Sequence, residues 1–210
     1  MNTVVTSEKI HLPAGAVLKL LGNWQDYQRM VSVLGDRSIP RIKYRPGEIL
    51  LMAPLPEHGR DTSLLALVAI TILDYLNRKY ESFTPITMSL PEVSGIESDF
   101  CFYIENWPSA VGKSRIDWQN DLPPDLAIEI DVTSYTDIND YLVYKVPEVW
   151  LLRNKQLLIY RLQGEDYTLS ESSYFPNIPE IVQQCFRIAR EDTTSEAIRW
   201  LRNFLVSTQK

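Results

Sequence analysis

Histidine and cysteine are scarce: the 210-residue chain has two of each. His11 and His58 stand apart, with no HExxH pair for a zinc protease and no GxSxG elbow for a serine hydrolase. Cys101 and Cys185 lie in apolar runs and form no CxxC pair, so buried free thiols are expected, as suits a reducing cytoplasm. No GxGxxG or GxxxxGK loop is present to cradle a phosphate. No uncharged apolar run is long enough to span a bilayer, and the N-terminus lacks a basic-then-apolar signal pattern. The expectation is a soluble, cytoplasmic protein with no membrane partner. A basic excess is missing too. Lys and Arg total 21 against 27 Asp and Glu, a net charge of −6. That argues against a nucleic-acid coat protein, yet leaves room for a nuclease whose basic residues line one cleft. Only eight glycines stand against thirteen prolines, which indicates stiff connections, and there is no repeat or low-complexity segment.

What is present reads as one domain over residues 1–210: an N-terminal arm and helix (1–40), a core (41–170) and C-terminal helices (178–208). Asn23 caps a helix that runs to Leu34. Arg41–Tyr44 and Glu48–Met52, joined by the turn Arg45-Pro46-Gly47, form a β-hairpin. A largely buried helix follows the loop Pro54–Gly59 and runs to about Tyr80. Strands are expected near Phe83–Met88, Asp99–Ile104 and Asp125–Asp131, then a helix near Tyr135–Tyr144. A second hairpin pairs Glu148–Leu152 with Leu157–Arg161, and Tyr167–Leu169 adds an edge. Residues 106–119 are expected to be irregular. Ile181–Ile188 is apolar on one side, and Thr193–Glu196 has capping-box spacing before the last helix. The fold class is α/β (α+β): a mixed central sheet flanked by helices, with added hairpins.

The chemistry concentrates in Pro124-Asp125-Leu126-Ala127-Ile128-Glu129-Ile130-Asp131. The period of two puts Glu129 and Asp131 on one face of a strand otherwise made of apolar residues. Asp99 opens another apolar run and adds a third carboxylate if the strands pair. Three acids at one sheet position repel unless a divalent cation, a basic group or protons intervene. The alternative is a half-exposed strand with solvated acids. Likewise, Glu48 alone is an exposed hairpin acid, and His58 alone is a structural histidine before a helix.

As a set, Glu48, a long helix, Asp99 and then Glu129 resemble the PD-(D/E)xK nuclease superfamily. Within it the chain resembles the Uma-two family of restriction-endonuclease-like proteins, from about Arg41 to Arg161. Pro46–Pro54 is similar to that family's DGELxxMSP segment, Glu57-His58-Gly59 to its EHG, and Glu97–Phe100 to xPDV with Ser98 in place of Pro. Pro124–Ile130 is similar to PDLVVEV, and Val146–Leu151 to VPEYWL. The resemblance implies a restriction-endonuclease-like fold and a Mg²⁺- or Mn²⁺-dependent DNA endonuclease. Glu48, Asp99 and Glu129 would be its acidic site residues, with His58 and Asp131 as accessories. Asp99, Glu129 and the Ile130 carbonyl would be metal ligands. Such enzymes often work as homodimers, and the apolar C-terminal helices would either form that interface or finish the core.

The chain departs from the family pattern at the lysine. Asp131 occupies the position two after the strand glutamate, and Asp137 the alternative position on the next helix. Loss of that lysine implies impaired catalysis, or a non-catalytic DNA- or protein-binding module as the rival reading. A glycosidase built on two carboxylates is a third reading, which leaves the sheet and His58 unexplained. Lys43, Arg60 and Lys145 lie near the motif segments and are candidates for phosphate contacts. Asp99, Glu129 and Asp131 are expected to repel one another, so that replacing Asp131 by Asn stabilises the metal-free protein.

Overall fold

The computed structural model describes residues 12–35, 37, 39–132 and 136–208. His11 lies outside them, as do the first half of the N-terminal arm and Tyr135, the expected start of a helix. Among the described residues, eleven strands form two sheets. The first is antiparallel throughout, in the order β1 (Val17–Leu21), β3 (Glu48–Met52), β2 (Arg41–Arg45), β6 (Ser94–Ser98), β5 (Ile86–Leu90). The second runs β11 (Asp166–Leu169), β10 (Gln156–Gln163), β9 (Glu148–Arg153), β8 (Leu126–Asp131), β7 (Phe100–Tyr103), β4 (Glu81–Phe83). It is mixed: β8 and β9 are parallel, and its other pairs are antiparallel. The first hairpin is therefore no appendage to a central sheet; with β1, β5 and β6 it builds a sheet of its own.

The segment expected as one strand near Phe83–Met88 divides at Pro85, whose missing N–H interrupts the ladder. β4 ends before it in the second sheet, and β5 begins after it in the first. The returning chain crosses back at Asp99, between β6 and β7. The two crossings touch, since the Thr84 hydroxyl donates to the Asp99 carbonyl oxygen at 2.9 Å.

β8 is buried along nearly its whole length, because both faces of this part of the sheet are covered. Leu126, Ile128 and Ile130 pack among α2 (Pro56–Tyr75), α4 (Ile178–Glu191) and α5 (Thr194–Ser207). Ala127 belongs instead to a core with Met88 and Ile96 of the first sheet and with Tyr141 and Val149. By alternation, Glu129 also faces the first sheet. The apolar sides of α4 and α5, including Ile181, Cys185, Leu201 and Leu205, finish the main core. Cys101 and Cys185 are both buried and unpaired.

α2 stops at Tyr75 rather than near Tyr80. Asn77 adopts φ 52°, and the Arg78 N–H donates to the Leu73 carbonyl at 2.9 Å, which closes the helix end. α1 (Trp24–Leu34) starts at a capping box between Asn23 and Asp26 and lies on the first sheet. A Cβ at Gly95 would meet the Tyr27 ring at 2.5 Å, so only glycine admits this approach. After β8, the helix expected near Tyr135–Tyr144 is a 3₁₀ helix, Ile138–Tyr144. α3 (Trp107–Ala110) is a single turn within the stretch expected to be irregular. No helix among the described residues is long and apolar enough to cross a membrane.

Two acids of the sequence motifs turn out to hold backbone rather than chemistry. The Asp125 carboxylate, 3% exposed, accepts the N–H groups of Ile104, Glu105 and Asn106 at 2.6, 3.0 and 2.9 Å. Glu148 accepts Trp150 Nε1 at 2.7 Å, the Ser172 hydroxyl at 2.5 Å and the Ser173 N–H at 2.7 Å. Asp125→Ala leaves three N–H groups without their charged acceptor, and is expected to cost about 3 kcal/mol in urea denaturation.

Candidate active site between the two sheets

The first hairpin alternates strictly. Ile42, Tyr44, Ile49 and Leu51 enter the small core under α1, with Trp24 and Tyr27. Arg41, Lys43 and Arg45 consequently share the opposite face of β2, and Glu48, Leu50 and Met52 that of β3. The cations on β2 look toward the carboxylates of β8 and of the crossing at Asp99.

Asp99, its side chain fully buried, is engaged at both oxygens. Oδ1 pairs with Arg41, while Oδ2 accepts the Ile130 N–H at 2.8 Å and lies 3.1 Å from His58 Nε2. One carboxylate thereby joins β2, β8 and the first turn of α2. Glu129 accepts the Tyr141 hydroxyl at Oε1, and Thr136 Oγ1 lies 3.5 Å from Oε2. On the neighbouring segment, Asp140 receives both arms of Arg45, Nε at 2.7 Å and Nη2 at 2.8 Å, with Lys43 Nζ at 3.2 Å.

These groups surround a cavity of about 290 Å³ whose polar lining includes Arg41, Lys43, His58, Glu97, Glu129 and Thr136. Ile130 borders it as well. Asp99 lies behind Arg41 and opens instead on a second cavity of about 330 Å³, which Arg41 also lines. The acids pay an electrostatic penalty here. Burial pushes the Glu97 carboxyl up to about 7, opposed by Arg41 and reinforced by Glu129. Glu129 is likewise raised by burial, against the pull of Lys43 and the Tyr141 hydroxyl. His58 is pushed down to about 4, by burial first and Arg41 second.

The sequence-derived residues fare unequally. Glu129, Ile130 and His58 line one cavity. Asp99 touches His58 and the Ile130 N–H but opens on the neighbouring cavity, so Asp99 and Glu129 do not share the pocket expected of them. Glu48 does not join them: it lies past Leu50 at the turn end of β3, and its carboxylate pairs with Lys19 of β1. Asp131 is not a member of a repelling trio, because Arg153 reaches it with Nε at 2.8 Å and Nη2 at 2.6 Å. Thr136 adds its N–H at 3.0 Å and its hydroxyl at 2.8 Å. The expected stabilisation by Asp131→Asn is thus reversed. Asp137 is exposed and caps the 3₁₀ helix through the Asn139 N–H at 3.1 Å. Arg60 is engaged with Glu57 and Asp61, and Lys145 is exposed at the 3₁₀ helix end, both outside this lining. Arg41, Glu97, Asp140 and Tyr141 were missed. The alternating charges of Arg41-Ile42-Lys43-Tyr44-Arg45 were the available signal for the first.

The oxygen chemistry fits a hard divalent cation. Among the described residues no group of three or more His, Cys, Asp or Glu side chains is placed to hold a metal. Magnesium, however, is commonly held by one or two carboxylates and keeps water or phosphate oxygens for the rest. Glu97 and Glu129 face the cavity as such a pair, and no hydrogen bond or ion pair among the described residues engages the Glu97 carboxylate.

Two measurements check this electrostatic picture. Folded His58 takes its proton below the unfolded pKa, so its contribution is present above pH 6.5 and lost toward about 4. Glu97 acts in the opposite sense: its contribution is present below 4.5 and lost as pH rises through about 7. His58→Gln should therefore gain thermal stability, relative to wild type, on acidification from pH 6.5 to 4.5, whereas Glu97→Gln should lose it. Separately, Asp131→Asn should destabilise by about 2 kcal/mol in urea, since it breaks the pair with Arg153.

No curated protein matches the chain. Among solved structures, one described as a "putative nuclease belonging to DUF820" from Anabaena variabilis is similar at 16% identity, with a TM-score of 0.49. The match covers 87% of this chain and 98% of that one. The model of the Uma2 family, described as "Putative restriction endonuclease", matches residues 24–189. With most of its length inside that match, the chain belongs to the Uma2 family.

Proposed function

We propose that this protein is a divalent-metal-dependent endonuclease that hydrolyses phosphodiester bonds of DNA in the cavity between the sheets. The observation that carries the reading is the lining of one cavity by two carboxylates, Glu97 and Glu129, together with Arg41, Lys43 and His58. The description of the family supports DNA as the substrate. Mg²⁺ or Mn²⁺ would be held by Glu129, Glu97 and the Ile130 carbonyl, and when bound would supply Lewis acidity and an activated water. The chain's own residues do the rest. Tyr141 and Thr136 fix the Glu129 carboxylate, and Asp99 holds the Ile130 N–H and the His58 ring in place. Arg41 offsets the charge of Asp99. We further propose that the enzyme works in the cytoplasm, which suits two buried unpaired thiols, and as a homodimer.

One observation favours the rival reading, a DNA-binding module without turnover: both Asp99 oxygens are already engaged by Arg41, His58 and the Ile130 N–H. Incubation of supercoiled plasmid with the protein in Mg²⁺, Mn²⁺ or EDTA separates the two. Cleavage is expected with metal and absent with EDTA, and Glu129→Gln should reduce it about 100-fold or more. A wild type that binds the plasmid but leaves it intact with both metals would establish the binding module instead.

A further inference from the structure

Three basic side chains line the cavity, and two are already committed. The Arg41 guanidinium is paired with Asp99. His58 lies against the same carboxylate in a buried setting that disfavours its charged form. Lys43 remains. It is 5% exposed, projects from the middle of the β2 ladder, and borders the cavity with Glu97 and Glu129. Its one ion-pair partner among the described residues, Asp140, is shared. Arg45 grips both oxygens of that carboxylate, at 2.7 and 2.8 Å, whereas Lys43 Nζ stands 3.2 Å from Oδ2 alone. A forked guanidinium satisfies a carboxylate by itself, so the ammonium can leave without stranding Asp140.

We propose that Lys43 is the cation that meets the phosphodiester in this cavity, resting on Asp140 in the free protein and turning to a phosphate oxygen when DNA is bound. The proposal rests on the nuclease reading above. Two carboxylates alone would repel a phosphate from this cavity, and a fixed ammonium beside them offsets that repulsion. It also stabilises negative charge as it grows on the phosphate oxygens. The hairpin thereby supplies the charge that neither Asp131, tied to Arg153, nor Asp137, capping the 3₁₀ helix, provides. Asp140 and Arg45 are positioning residues: they set where the ammonium waits.

The test compares Lys43→Met, Lys43→Arg and, as an exposed control, Lys145→Met with wild type. Two quantities are read: Mn²⁺-dependent plasmid cleavage, and the salt dependence of binding to a short fluorescein-labelled DNA in EDTA. Lys43→Met should cut about 100-fold more slowly, with part of the loss restored in Lys43→Arg and none incurred in Lys145→Met. Its plot of log K against log salt should be shallower by about one, with the melting curve preserved because Arg45 still holds Asp140. Wild-type cleavage and salt slope in Lys43→Met would overturn the proposal. So would a loss that Lys43→Arg does not relieve and that accompanies a collapsed melting curve. If wild type cuts nothing but Lys43→Met still loses one phosphate contact in the salt slope, the nuclease reading fails while the role of Lys43 stands. A wild type that neither cuts nor binds overturns both.

Discussion

The carboxylate of Asp99 is the constraint on which the rest of the site depends. It sits where the chain passes from one sheet into the other, and its three partners come from β2, β8 and α2. A buried carboxylate is tolerable only when its charge is matched and its oxygens are bonded. Arg41 supplies the match, and the Ile130 N–H and His58 complete the bonding. Satisfying this single group fixes the distance between the sheets, hence the width of the cavity that the other side chains line.

The acids of the chain fall into two populations that sequence alone does not separate. Asp125 and Glu148 bind backbone and indole N–H groups, and Asp131 and Asp140 bind arginines. All are buried or nearly so, all are fully engaged, and each ties together segments distant in the chain. Glu97 and Glu129 differ in facing empty volume with burial raising their affinity for protons. An acid that has its partners is architecture; an acid beside open volume keeps room for a ligand to complete its bonding.

Much of this was legible beforehand, for identifiable reasons. The alternation around Leu126–Asp131 fixed the strand and the direction of Glu129, because a period of two leaves no other choice. The motif order singled out His58 and Glu129, which line one cavity, and Asp99, which holds His58 from the cavity beside it. Pairing partners were not legible, since Arg153 reaches Asp131 from a neighbouring strand 22 residues on, a separation that no local pattern encodes. The same holds for Glu48, whose strand was right but whose position along the strand carried it past the cavity to Lys19. Glu97 was hidden in plain view, two residues before Asp99, because an acid on a short strand with Gly95 and Ser98 shows no apolar alternation to mark it. The division into two sheets depended on Pro85 and on the crossing at Asp99, and a proline between strands does not say which sheet each strand joins.

The fork between Arg45 and Asp140 joins residues 95 apart, and the single contact between Arg41 and Asp99 residues 58 apart. As the chain is synthesised, the three cations of the hairpin emerge first and wait for their carboxylates while the intervening residues are added. The pocket is thus a late product of folding, with a high loop-closure cost that is met only after the second sheet begins to assemble. An unfinished chain that stops short of Glu129 has the hairpin and lacks one of the carboxylates that line the cavity. Any chemistry that the cavity performs is confined in this way to molecules whose translation has passed that point.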